Sequence, residues 1–456
     1  MNFLGLIYLL MAHYVSGRGV LRLFRISLQP LTTVCLSFII GVALLSFVPC
    51  FVQLLHIPIT FVSIVIGVGL FTFALSIPSL ITVKQPVFKK ITFPAGYEWP
   101  FIAVISLVMA VSVWRCFYNP PLARDMLTGP ELLAEYAVRE HTMLSSVFSI
   151  DLSTSNNYFK SPYITGLQII YKLLVCPFGQ LWLSVLSLSF IIWMYSLVRS
   201  LIHPLIAGFL MLFFMVQPDF YAYTYLILYD YSNTVFFFCG FYFLHRWYVE
   251  ERQLRDFAFA AFLFGIATYI RTETLVLVAM TAPLVLFFLY RMHIPFKKMV
   301  LYKSILILTS AFFYLLCIDV FVHNFIPIPF DLHSQLNPHL LDISPFFRRL
   351  RDIITVLIFS KQGMKEYGYF IFFFCGLLLA DTICTRRFNS WAKIALYGIL
   401  TVYIGLAFLG YLLPLVDLPN TTKRGFFKAL PLMLLYMANS GLLQRLSGKI
   451  RKWEAG

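Results

Sequence analysis

Long apolar runs recur from one end of this chain to the other, and they leave little choice of fold. A backbone in hydrocarbon finds no water, so its N–H and C=O groups must be satisfied within a helix or a closed barrel. The 456 residues are 60% hydrophobic and only 12% charged, with a mean hydropathy of +0.83. A soluble domain carries about a quarter of its residues as charges. The expected fold class is an all-α polytopic membrane protein.

A window of about 19 residues gives candidate spans near residues 2–15, 31–55, 59–83, 99–117, 181–199, 203–217, 231–247, 256–270, 274–290, 303–325, 367–384, 391–415 and 426–443. That is about thirteen transmembrane helices. The first is short, but residues 16–25 lack a small-residue cleavage site and more spans follow. It reads as a membrane segment rather than a cleaved signal. Lys and Arg set the orientation. Arg18, Arg22, Arg25, Lys84, Lys89, Lys90, Arg199, Arg246, Arg252, Arg255, Arg291, Lys297, Lys298, Arg386, Arg387 and the basic tail fall in alternating loops if all face the cytoplasm. The net charge of +15 would suggest nucleic acid in a soluble protein. Here basic cytoplasmic loops account for it, and no nucleic-acid partner is expected. The eight cysteines are scattered, without CxxC or metal-ligand spacing, and read as packing residues.

The loop from 118 to 180 then faces outward. It gathers Arg124, Asp125, Glu131, Glu135, Arg139, Glu140, His141, Asp151 and Lys160 in a chain otherwise poor in charge. Residues 131–145 read as an amphipathic helix, with Leu132, Leu133, Tyr136, Ala137 and Met143 against Glu131, Glu135, Arg139 and Glu140. Residues 163–177 are apolar, but counting them as a span breaks the charge alternation. They read as a second helix lying on the outer surface. A second long outward loop, 326–366, is broken by prolines and has room for a helix over 342–359.

Several cations stand on the outward side, where they should be depleted: Arg124, Arg139, Lys160, Lys172, Arg271, Arg348, Arg349, Arg351, Lys361, Lys365, Lys423 and Arg424. They call for anionic partners: lipid headgroups, local carboxylates or a substrate phosphate. Asp230 opens an apolar run, either as a helix cap or as a second functional carboxylate. The tyrosines around it, from Tyr221 to Tyr231, read as an interfacial belt or as sugar-stacking faces.

At this point the residues resemble the GT-C membrane glycosyltransferases, in particular the protein O-mannosyltransferases and the bacterial lipid A aminoarabinose transferases. The resemblance runs in order over residues 99–443. It includes Arg124-Asp125, the helix GPELLAEYAVRE, the ending Tyr158-Phe159-Lys160-Ser161-Pro162-Tyr163, Pro177-Phe178-Gly179, Asp230, the Gly265…Arg271 element and Arg424-Gly425-Phe426-Phe427 with Pro431. The family's helix-heading acid aligns without gaps near residues 129–131, so Asp125 and Glu131 both stand as its counterpart. Residues 1–98 form N-terminal spans with no counterpart, and 444–456 a basic cytoplasmic tail.

The resemblance implies an inverting glycosyltransferase with a polyprenyl-phosphate sugar donor. The acceptor would be a lipid, glycan or protein on the extracytoplasmic face of a bacterial inner (plasma) membrane. Asp125, Glu131 and Asp230 are the implied catalytic carboxylates. Lys160, Arg271 and Arg424 are the implied cations on the donor phosphate, with Arg124, Glu135, Arg139 and Tyr163 as secondary candidates. No cofactor is required, although nearby carboxylates are compatible with a divalent cation. Two other readings remain open: a flippase or transporter of lipid-linked glycans, and an enzyme of the O-antigen ligase or polymerase type.

Overall fold

Among the described residues every regular element is a helix. The computed structural model describes residues 2–81, 94–121, 124–149, 160–251, 253–326, 336–339, 341–385, 388–414 and 416–455. Within them, each expected apolar segment falls on a helix. Eight helices are long and apolar enough to cross a membrane. The number reaches ten if the bent pairs Lys361–Tyr367 with Phe370–Cys384 and Leu418–Ala438 with Gly441–Ala455 each count as one span.

Three expected spans fall short of that test for a physical reason. Pro204–Met215 has 12 residues and Leu254–Ile270 has 17. Tyr229–Arg246 has 18 residues but opens with the polar sequence YDYSNT. Every residue of Tyr229–Arg246 except Tyr242 is buried, and Leu254–Ile270 packs along it. Phe243 meets Phe259 edge to face at 4.6 Å, and Phe264 meets both Phe237 and Phe241. A helix walled by protein does not have to match the hydrocarbon thickness. The peripheral helices differ: Leu70 and Phe73 on Phe61–Ile81, and Leu107 and Trp114 on Trp99–Tyr118, point outward.

The N-terminal helices pack tightly on one another. Phe3–Leu23 lies against Pro30–Leu45 and Phe61–Ile81. A methyl group on Gly17 would strike the carbonyl of Ser37, and one on Gly41 the carbonyl of His13. Small residues at such crossings let backbones approach closely.

These helices overturn one expectation. The helix predicted to lie on the outer surface, observed as Tyr163–Leu174, is enclosed instead, with all residues from Tyr163 to Tyr171 buried. The His13 Nε2 and Tyr171 hydroxyl are 2.8 Å apart, Gly166 abuts Ser46, and Trp182 donates to Gln168 at 2.8 Å. Residues 2–81 and the helix Leu181–Leu201 cover the face that would otherwise meet lipid headgroups. The amphipathic helix is Pro130–Glu140, ended by His141 in the left-handed conformation. His141 is tied to Ile59, whose N–H donates to the His141 carbonyl at 2.8 Å, and Gln53 accepts from the Met143 N–H at 2.7 Å. The first loop is therefore clamped by the N-terminal helices.

In the second loop a helix runs from Ser344 to Asp352 and continues as a wide turn over Ile353–Ile358. Tyr403 holds it by donating to the Leu350 carbonyl at 2.8 Å. The basic tail is helical, as part of Gly441–Ala455. Ser447 accepts from the His203 N–H at 2.9 Å, and Glu454 lies 3.0 Å from the His203 ring.

Candidate active site

Asp230 stands in the first turn of Tyr229–Arg246, where the helix dipole favours a carboxylate. Arg271 follows the last residue of Leu254–Ile270, where the dipole favours a cation. The two helices are antiparallel neighbours, so both termini lie at one end. Asn233 fixes the register by donating to the Ala267 carbonyl at 2.6 Å and to the Thr274 hydroxyl at 3.0 Å. Arg271 then bonds both Asp230 and Glu273.

The first loop enters the same place. Tyr229 donates to the Ser161 carbonyl at 2.7 Å, which seats Lys160 beside Asp230. Asp125 lies on the short helix Arg124–Leu127, which Arg124 opens. One Asp125 oxygen receives the Arg424 guanidinium at 2.9 Å and faces the Lys160 ammonium at 3.8 Å. Arg424 comes from the helical stretch Lys423–Phe426, whose preceding turn is capped by Asp417 accepting from the Thr421 N–H at 2.8 Å. Burial alone would raise the Asp125 carboxyl; Arg424 and Lys160 outweigh it and hold the group below the ordinary value. Burial, opposed by Asp125, holds the Lys160 ammonium below its own ordinary value.

Five of the residues singled out by sequence thus meet: Asp125, Lys160, Asp230, Arg271 and Arg424. Two more join them that the sequence reading did not select. Glu273 shares Arg271. Lys428 is buried at 1% exposure and sits in the field of Arg271, Glu273 and Asp230. The signal for Lys428 was present: a single lysine inside the apolar run FFKALPLMLL. An ionisable residue in such a run points to function.

Glu131 and Glu135 are in a different cluster. Lys172 bridges them, 2.6 Å from Glu131 and 2.9 Å from Glu135, while Gln168 also donates to Glu131. Arg139 pairs with Glu135 one turn along at the exposed end. Burial raises the Glu131 carboxyl despite Lys172. Glu135 goes the other way: burial would raise it, but Lys172 and Arg139 pull it down. This cluster joins the two loop helices to each other. Tyr163 is fully buried, with its ring edge-on to Trp182 and Tyr269, and packs beneath the site.

A narrow apolar pocket opens beside Lys160, lined by Leu133, Met143, Pro162, Phe321, Phe325 and Ile326. Lys160 and Thr165 are its polar lining, and the rest is apolar. Among the described residues, no group of three or more His, Cys, Asp and Glu side chains is gathered to hold a metal. Asp151 and the element Tyr158-Phe159 lie outside the described residues.

Compared with family models, characterised proteins and solved structures, the chain matches none of them.

Proposed function

We propose that this protein is a membrane-embedded inverting glycosyltransferase of the GT-C type. It moves a sugar from a polyprenyl-phosphate donor to a lipid, glycan or protein acceptor. The site faces the exterior of a bacterial inner membrane. One observation carries the reading: two carboxylates and three cations from four distant segments converge beside an apolar pocket. Charges that served only membrane orientation have no reason to meet.

The reaction requires little of the protein. An acceptor hydroxyl attacks C1 of the sugar, the C1–O bond to phosphate breaks, and the electron pair leaves with the phosphate. Attack opposite to the leaving group inverts C1. Asp125 takes the hydroxyl proton, a role worth about 10²–10⁴ in rate. Lys160, Arg424 and Arg271 stabilise the charge growing on the leaving phosphate. The apolar pocket receives the prenyl chain next to the phosphate. Asp230 holds Arg271 in place from the helix terminus. Asp125 is preferred to Glu131 as the base, since Glu131 is committed to Lys172 and Gln168 away from these cations.

The test is direct. Lipid that co-purifies with the protein is identified by mass spectrometry, and its loss is followed when acceptor is added. Asp125→Asn keeps shape but cannot take a proton, so turnover should fall about 100-fold or more while donor still binds. Normal turnover by Asp125→Asn would remove the base from the scheme.

A further inference from the structure

Three of the four cations at the site already have a carboxylate. Arg271 bonds Asp230 and Glu273, Arg424 bonds Asp125, and Lys160 faces the same Asp125 oxygen. Lys428 differs. It is as buried as any residue of the core, yet it has no salt-bridge partner among the described residues. Arg271, Glu273 and Asp230 act on it only through space. Asp219 and Glu366 are both taken by Lys423, at 3.1 Å each.

A lysine is seldom fully buried without a partner, because its ammonium loses hydration and gains nothing. Its position explains what it could gain. Phe427 and Lys428 form a right-handed turn between Lys423–Phe426 and Ala429–Ala438, with the Phe427 N–H donating to the Arg424 carbonyl at 3.2 Å and the Lys428 N–H to the Gly425 carbonyl at 3.4 Å. Arg424 reaches the loop carboxylate at the rim, and Lys428 is buried further in, in the field of Arg271, Glu273 and Asp230.

We infer that Lys428 is the deepest contact of the substrate's anion: its ammonium, the one cation of the four with no carboxylate among the described residues, binds a phosphate oxygen. The inference rests on the transferase reading and adds a phosphate contact to it. A phosphate held by Lys428 competes with Asp125 for Arg424 and Lys160. As those cations move to the phosphate, Asp125 loses two positive neighbours and gains proton affinity. The base is thus readied by arrival of the donor and is weak in its absence.

The experiment compares undecaprenyl phosphate with undecaprenol, which lacks the phosphate, on the full chain in detergent by native mass spectrometry. Wild type should prefer the phosphate. Lys428→Met, which is close in shape and neutral, should reduce that preference about tenfold or more, the worth of a charged hydrogen bond. Its undecaprenol binding should not change, and its thermal midpoint should be equal or higher. Lys428→Arg should keep most of the preference. If Lys428→Met does not fold, Lys428→Gln repeats the measurement with a polar neutral side chain. An undiminished preference in the neutral variant overturns the inference and makes Lys428 an internal counter-charge to Asp230 and Glu273. A wild-type protein that does not distinguish phosphate from alcohol overturns the transferase reading itself.

Discussion

Asp125, the base of the proposed reaction, is a carboxylate held under two cations, and its pH behaviour follows from that. With Arg424 and Lys160 beside it, its folded value lies below the ordinary 3.8. A carboxyl with a depressed folded value contributes stability above its unfolded value and loses it as pH falls through the folded one. Asp125→Asn should therefore lower the thermal midpoint at neutral pH. The gap from wild type should close on acidification below about pH 4. A gap that stays constant from pH 7 to pH 3 would mean that the Arg424 pair contributes nothing to the fold. Residues such as Asp125, Lys160 and Arg271 were legible in the sequence because each is a charge at the edge of an apolar run. Lys428 was not selected because it lies inside one. Glu131 was open as an alternative because its partner Lys172 is forty-one positions further on, in a helix that hydropathy alone places elsewhere.

The element that decides the architecture of the site is the helix Tyr163–Leu174. Its sequence is apolar, the charge alternation places it on the outer surface, and its burial is that of a core helix. Sequence could not separate the two, because the cover is made by close backbone crossings at Gly5, Gly17 and Gly41 rather than by any apolar signal. Gly17→Val tests this. The new side chain meets the Ser37 backbone, which has no flexible end to move aside. Overpacking of this kind typically costs about 1–3 kcal/mol. The variant should melt at lower temperature, and a cysteine placed at Lys160 should become more reactive to a water-soluble maleimide. Unchanged reactivity with a lowered midpoint would show that the cover stabilises the fold without holding the Lys160 turn. The central helices Pro204–Met215 and Leu254–Ile270 were legible as apolar segments but not as incomplete spans. Their shortness makes sense only once their protein neighbours are known.

For the whole molecule, the proposed topology makes a claim that labelling can settle. Leu127 is half exposed on the first loop, and Lys298 is exposed near the start of Phe296–Leu315. Cysteines at the two positions should react from opposite sides of the membrane, Leu127→Cys from the exterior and Lys298→Cys from the cytoplasm. Labelling of both from the same side would break the charge alternation on which the orientation rests. The ion pair between Asp125 and Arg424 joins residues 299 positions apart. In a chain inserted from its N-terminus, the cover of Tyr163–Leu174 is made first, the Asp230–Arg271 pair forms midway, and Arg424 and Lys428 arrive near the end. A nascent or truncated chain can thus hold its first loop in place while lacking both the guanidinium that restrains Asp125 and the buried ammonium of Lys428. Insertion of the helical stretch from Lys423 to Ala438 is what completes the charged cluster.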